Sequence, residues 1–166
     1  MSERLKNVEA AMKDYFGTDQ RRIDHALRVT DFAENLLKSE KGNRLVVVAA
    51  ALLHDIGIRE AERKYGSSAG DLQEREGPPV AREILSGFGF DEVVIDEVCA
   101  IIASHHSPGE VDTDNFRVIW DADWLVNLGD ECDLSNDIKT SEMIRKIFQT
   151  ATGKALAERI YLQKDK

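Results

Sequence analysis

The sequence predicts an all-α fold, a compact single-domain bundle of roughly seven or eight helices spanning residues 1–166. Three observations carry this reading. Apolar residues recur at three- and four-residue spacing through most of the chain, the period of a helix packed on one face. Turn residues such as Gly17-Thr18-Asp19 and the Ser39 to Asn43 stretch separate the periodic segments. The β-branched run Val46-Val47-Val48 passes at once into Ala49-Ala50-Ala51-Leu52-Leu53, so it reads as helix rather than strand.

Taken in order, Leu5, Val8, Met12, Tyr15 and Phe16 make residues 3–16 an amphipathic helix. Residues 21–38 form a second, with Ile23, Ala26, Leu27, Thr30, Ala33, Leu36 and Leu37 facing inward and His25 beside that stripe. Residues 44–55 form a central helix that is apolar almost all round, which implies burial on every side. The polar stretch from Glu60 to Gly77, with Gly66-Ser67-Ser68-Ala69-Gly70 in its middle, is expected to be a flexible segment and a candidate lid. Pro78 and Pro79 are expected to open a short helix over 80–85, since proline suits a first helical turn. Asp91 caps a helix carrying Val94, Ile95, Val98, Ile101 and Ile102, which stops at Ser104-His105-His106-Ser107-Pro108. A loop over 109–115 leads to a helix over 116–128. Residues 137–150 and 154–163 read as two closing helices with Gly153 between them.

Charge and composition exclude several roles. Net charge is −9 and the pI about 5.0. That argues against binding a nucleic-acid polymer or an anionic membrane. Hydrophobic and charged fractions of 42% and 32% are those of a globular protein. Cys99 and Cys132 lie far apart and in no Cys-x-x-Cys, as expected in a reducing cytoplasm. The N-terminus lacks the apolar stretch of a signal peptide, and the run ending at Leu53 is too short to span a bilayer.

The chemistry concentrates at the end of the central helix, in Leu53-His54-Asp55-Ile56-Gly57. An imidazole and a carboxylate at the end of a buried helix need partners, because unpaired buried polar groups cost several kcal/mol. A divalent cation is one such partner. Further ligands are available: His25 on the inner side of the preceding helix, and Asp121 and Asp123 in an otherwise apolar helix between Ile119, Trp120 and Trp124. Positions 121 and 123 differ by about 200° around a helix, so only one can point at a common site. Trp120 and Trp124 are expected to belong to the core and not to form a base-stacking platform.

The ordered set His25, His54-Asp55 and Asp123, all on helices, resembles the HD-domain superfamily of metal-dependent phosphohydrolases. The resemblance extends over about residues 20–130 and includes Arg22 to Val29, Ala51 to Gly57, Ala81 to Leu85 and Asp121 to Leu125. It implies that His25, His54, Asp55 and Asp123 ligate one firmly held divalent ion (manganese, iron, cobalt, nickel, zinc or magnesium). It implies hydrolysis of a phosphoester or phosphoanhydride in a small phosphorylated compound, a nucleotide foremost. Two-metal members carry extra histidines, one before a Gly-x-x-x-Ala segment and others at a later helix end. His105-His106 fits the later place. The earlier place falls in Gln73-Glu74-Arg75-Glu76-Gly77 and has no histidine, so any second ion is expected to be weakly held, through Glu74 or Glu76.

Two imidazoles and two carboxylates leave positions open on such an ion, where a water is acidified and becomes the nucleophile. Asp55, His105 and His106 are the candidate catalytic residues, the histidines as phosphate contacts or proton donors. Arg59, Arg63 and Lys64 are candidates to hold phosphate oxygens. The alternatives are a metal-holding regulatory module without turnover and a two-iron oxygenase.

Overall fold

The computed structural model describes residues 1–162, and all its regular structure is helical. Helix α1 is Glu3–Phe16, α2 Gln20–Leu36, α3 Arg44–Leu53, α4 Ile58–Tyr65 and α5 Gly70–Gly87. Then follow α6 Glu92–Ile102, α7 Asp114–Glu131, α8 Asp137–Ile147 and α9 Ala151–Tyr161. Among the described residues no helix is long and apolar enough to cross a membrane.

The bundle is built around α3. Asn43 caps it, its side chain accepting from the backbone N–H groups of Leu45 and Val46. Every residue from Val46 to Leu53 is at most 2% exposed. Fully burying each aliphatic side chain contributes about 1.5–3 kcal/mol, which outweighs the weak helix propensity of three consecutive valines. Helices α1, α2, α6 and α7 pack around it, as its uniform apolarity requires. Because α3 ends inside the bundle, whatever follows Leu53 is delivered to the interior.

Residues 60–77, expected to be a flexible lid, fold instead into α4 and the first half of α5, with only a short turn at 66–69 between them. The cause is tertiary. Gly57 and Gly77 bring two backbones together, and a Cβ on Gly57 would lie 2.5 Å from the Gln73 carbonyl oxygen and from Gly77 N. A Cβ on Gly77 would lie 2.6 Å from Ile102 Cγ2. Only glycine permits that approach, and the contact anchors a helix that its polar sequence does not advertise. Pro78 and Pro79 accordingly sit inside α5 rather than opening a separate helix. The carbonyl of Pro78 accepts from Cys99 Sγ–H on α6.

At the C-terminal end, Gly153 lies within α9 and not between two helices. Its missing Cβ makes room for the Asp121 carboxylate, since a methyl there would lie 2.2 Å from Oδ2. Asp121 is fully buried and accepts from Gln149 N, Thr150 N and Thr150 Oγ1 at 2.8, 2.8 and 2.6 Å. Burial pushes its carboxyl up while these three bonds pull it down. Thr150 Oγ1 in turn accepts from Gly153 N, capping α9. The last residue of the helix expected over 154–163, Gln163, lies outside the described residues.

Candidate metal centre

Four elements converge beside the end of α3. His54 is its C-cap residue and is wholly buried, and Asp55 follows in the next turn. Helix α2 brings His25, and α7 brings Asp123, which is 7% exposed. His25 Nε2 lies 3.2 Å from His54 Nε2, 3.1 Å from Asp123 Oδ1 and 3.4 Å from Asp55 Oδ2. His54 Nε2 lies 3.4 Å from Asp55 Oδ2 and 3.5 Å from Asp123 Oδ1. The four residues expected to share an ion are therefore brought to one point. Asp121, two residues from Asp123, points the opposite way into the α8–α9 junction, as the helical period demands.

His105 and His106 reach the same place from the turn after α6. His54 and His105 are set by one device. Each follows the last turn of an apolar helix and donates Nδ1–H to a carbonyl three residues back, Ala51 at 2.8 Å and Ile102 at 2.7 Å. Those carbonyls lack helical partners, and the bond fixes the tautomer so that Nε2 carries the lone pair. His105 Nε2 is buried and makes no hydrogen bond, although Asp55 Oδ1 is 3.4 Å away. A buried lone pair facing other acceptors, with no donor supplied, fits a cation between them.

Two overlapping sets have ligand atoms close enough for an ion: His25, His54 and Asp55, and Asp55, His105 and His106. Asp55 belongs to both. Electrostatics at the first set agree with a positive charge there. Burial opposes the imidazolium of His54, but Asp55 and Asp123 outweigh it and raise its pKa well above the ordinary value. Burial likewise opposes the carboxylates of Asp55 and Asp123, and the surrounding histidines, led by His54, pull both far below the ordinary range.

The place expected to lack a histidine is filled by Gln73 of α5, four residues before Gly77. Its Nε2 donates to the Ser68 carbonyl at 2.6 Å, so its Oε1 is the acceptor for His106 Nε2–H at 3.0 Å. One residue on, Ser107 Oγ donates to Glu74 at 2.8 Å. Two parallel bonds thus fasten the histidine turn to α5. Gly70 lies against the His106 ring, where a Cβ would be 3.0 Å from Cγ. Glu74 is committed to Ser107, and Glu76 accepts from Lys64 Nζ and Tyr65 OH, so neither carboxylate belongs to the two sets. The second set is built from His105 and His106 instead. The signal for Gln73 lay in the sequence, at the start of Gln73-x-x-x-Gly77-x-x-x-Ala81, but a search for histidine passes over it.

The centre forms the floor of a cleft of about 1000 Å³. Arg59, Arg63 and Lys64 do not line it. Arg59 donates to the Tyr15 carbonyl, Arg63 pairs with Glu60 and Lys64 with Glu76. They follow the motif in sequence, but α4 turns their side chains away. The cations on the cleft are Arg21, Arg22 and Arg28 of α2, and Trp120 and Trp124 of α7 line it as well, half-buried rather than enclosed in the core.

The HD domain family model matches residues 22–128, which contain every residue of both sets. The chain belongs to the HD-domain family. It is also similar to a solved structure, a predicted HD superfamily hydrolase from an uncultured Thermotogales bacterium. The two share 30% identity with a TM-score of 0.66, over 96% of this chain and 84% of the other. No curated protein matched. HD domains bind divalent metals, and the family is one of metal-dependent hydrolases.

Proposed function

We propose that this HD domain is a phosphohydrolase that cleaves a phosphoester or phosphoanhydride of a small phosphorylated compound, a nucleotide foremost. The observation that carries the reading is the convergence of His25, His54, Asp55, Asp123 and the unpaired His105 Nε2 on the floor of an open cleft. Mixed imidazole and carboxylate donors suit manganese, iron, cobalt, nickel, zinc or magnesium. A bound divalent ion supplies Lewis acidity and an acidified water.

The chain's own groups account for the rest. His25, His54, Asp55 and Asp123 would hold the ion. Desolvation in the cleft and the neighbouring His105 lower the pKa of His106, although part of the side chain is open to solvent. Its Nε2–H is committed to Gln73, so Nδ1 is its proton-accepting atom for the attacking water. Arg21, exposed on the rim, offers a guanidinium for phosphate oxygens. The acidic surface disfavours a polymeric nucleic acid and favours a small substrate. A reducing cytoplasm suits the two unpaired thiols, Cys99 and Cys132.

Metal analysis of the purified protein, with phosphate release from nucleoside monophosphates under a range of divalent ions, tests this. About one ion per chain and ion-dependent phosphate release are expected, and both disappear in His54→Ala. A bound ion without turnover of any phosphate ester would point to a sensing module instead.

A further inference from the structure

The cleft is much larger than a phosphate group needs, and its walls beyond the metal centre differ in what they leave free. Two adjoining helices supply most of these walls. Arg21, His25 and Arg28 lie along α2, and Asp123, Trp124 and Asn127 along α7. Several of the charges are consumed by protein partners. Arg22 pairs with Asp19 and Glu62, each at 2.6 Å. Arg28 pairs with Asp130 at 2.8 Å, bridging α2 to α7. Trp120 donates its indole N–H to the Ile147 carbonyl at 2.9 Å. Among the described residues, the Trp124 indole N–H and the Asn127 side-chain amide have no hydrogen-bond partner. Both residues are half-buried, and they are three apart on one helix, hence side by side on its surface. Trp124 also adjoins Asp123 in sequence, next to where the phosphate would be held.

We propose that Trp124 and Asn127 form the recognition site for the part of the substrate beyond its phosphate, and that this part is a planar heteroaromatic base. Trp124 packs at a tilt against Trp120, ring centroids 6.3 Å apart, and the part of its indole that lines the cleft offers an aromatic surface to a flat ring. The neighbouring amide offers one acceptor and two donors to the ring's edge, the pairing that distinguishes a nitrogen heterocycle from a plain hydrocarbon ring. A short aliphatic phosphoester would leave both unused, and a sugar phosphate would lack the flat aromatic ring that stacks on an indole. The inference rests on the phosphohydrolase reading for its link to turnover, but the base site can be read without turnover.

The chain has two tryptophans, so Trp120→Phe leaves Trp124 as the sole indole reporter. Titrating that protein with adenosine, guanosine, cytidine and uridine should quench its fluorescence saturably for at least one of them, whereas ribose should not. Should Trp120→Phe fold poorly, calorimetric titration of the unaltered protein with the same nucleosides gives the same answer. In Trp124→Leu the ratio of kcat/KM for the nucleoside monophosphate to that for ribose 5-phosphate should fall about tenfold, mainly through KM for the nucleotide. Asn127→Ala should change which base is preferred. Nucleotide hydrolysis with no nucleoside binding, or an unchanged ratio in Trp124→Leu, overturns the base site. Nucleoside binding at Trp124 without hydrolysis of any ester upholds the base site and overturns the hydrolase reading instead.

Discussion

Asp55 presents one oxygen to each of two groups of nitrogens, Oδ2 to His25 and His54 and Oδ1 to His105, each at 3.4 Å. A carboxylate so placed cannot be replaced by its amide at an ion, because the NH2 side offers no lone pair to a cation and the group carries no charge to balance it. Asp55→Asn is therefore expected to leave the fold intact and to lower metal affinity by at least 10–100-fold, the loss typical of far milder changes beside a metal. Calorimetric titration with manganese or zinc would show it, and unaltered affinity would remove Asp55 from the centre. Asp121, two residues from Asp123, is a contrasting case. Its carboxylate accepts three bonds, and Asn would turn a donor toward Thr150. Asp121→Asn should cost about 2–4 kcal/mol in urea unfolding while leaving metal content unchanged. A loss under 0.5 kcal/mol would mean that the α7–α9 junction does not depend on it. The convergence of His25, His54 and Asp123 was legible because each lies on, or just at the end of, a strongly periodic helix, where the period tells which side faces inward, and Asp55 follows His54 directly. The cations were not legible. Arg59, Arg63 and Lys64 were chosen for nearness in sequence, and nothing in sequence says which way the chain turns after Gly57.

The same limit operates on whole elements. Helices α1, α2, α3, α6 and α7 each carry an apolar face that reads directly from spacing, and the structure follows that spacing. Helix α4 and the first half of α5 do not, because their order comes from a contact between residues 57 and 77 that leaves no local pattern, whereas the helix read over 80–85 is the second half of α5. The polar run between them reads as loop by composition. Gly57 and Gly77 are the clue, and their meaning appears only once α5 is laid against the turn after α3. This makes α5 the element on which the histidine turn depends, since Gln73 and Glu74 hold His106 and Ser107. Gly57→Ala places a methyl 2.5 Å from backbone atoms of α5, which cannot rotate aside as a side chain would. A loss of about 3 kcal/mol is expected, or roughly 6–12 °C in melting temperature. The damage should also reach the site, so nearby amides in α5 and the 103–108 turn should exchange hydrogen faster than those of α1. Equal exchange in both regions would show that α5 is held by other contacts.

At the scale of the molecule, the metal centre ties α2, α3, α6 and α7 together, so ion binding and stability are linked. In the ion-free protein the converging carboxylates must be balanced by protons. The folded state holds the His54 proton more tightly than the unfolded chain does, because Asp55 and Asp123 outweigh the effect of burial. The folded state therefore binds more protons, and its stability falls as pH rises from the ordinary histidine value, about 6.5, through the raised one. Asp55 and Asp123 act in the opposite sense. Their lowered pKa values add stability above the ordinary carboxylate range, which is lost as pH falls below about 4. The ion-free protein should thus be most stable between about pH 4 and 6.5 and weaken above that. A divalent ion supplies positive charge that does not titrate away, and it binds better as the histidines lose their protons. The gap in melting temperature between ion-loaded and chelated protein should accordingly widen from pH 6 to pH 8.5. With free ion at a hundredfold its dissociation constant, the stabilisation is about 2.7 kcal/mol, or roughly 5–10 °C for a chain of this size. His54→Ala should show no ion-dependent shift at any pH. A gap that is constant with pH, or larger in acid, would mean that the protonated histidine and the ion do not occupy the same place.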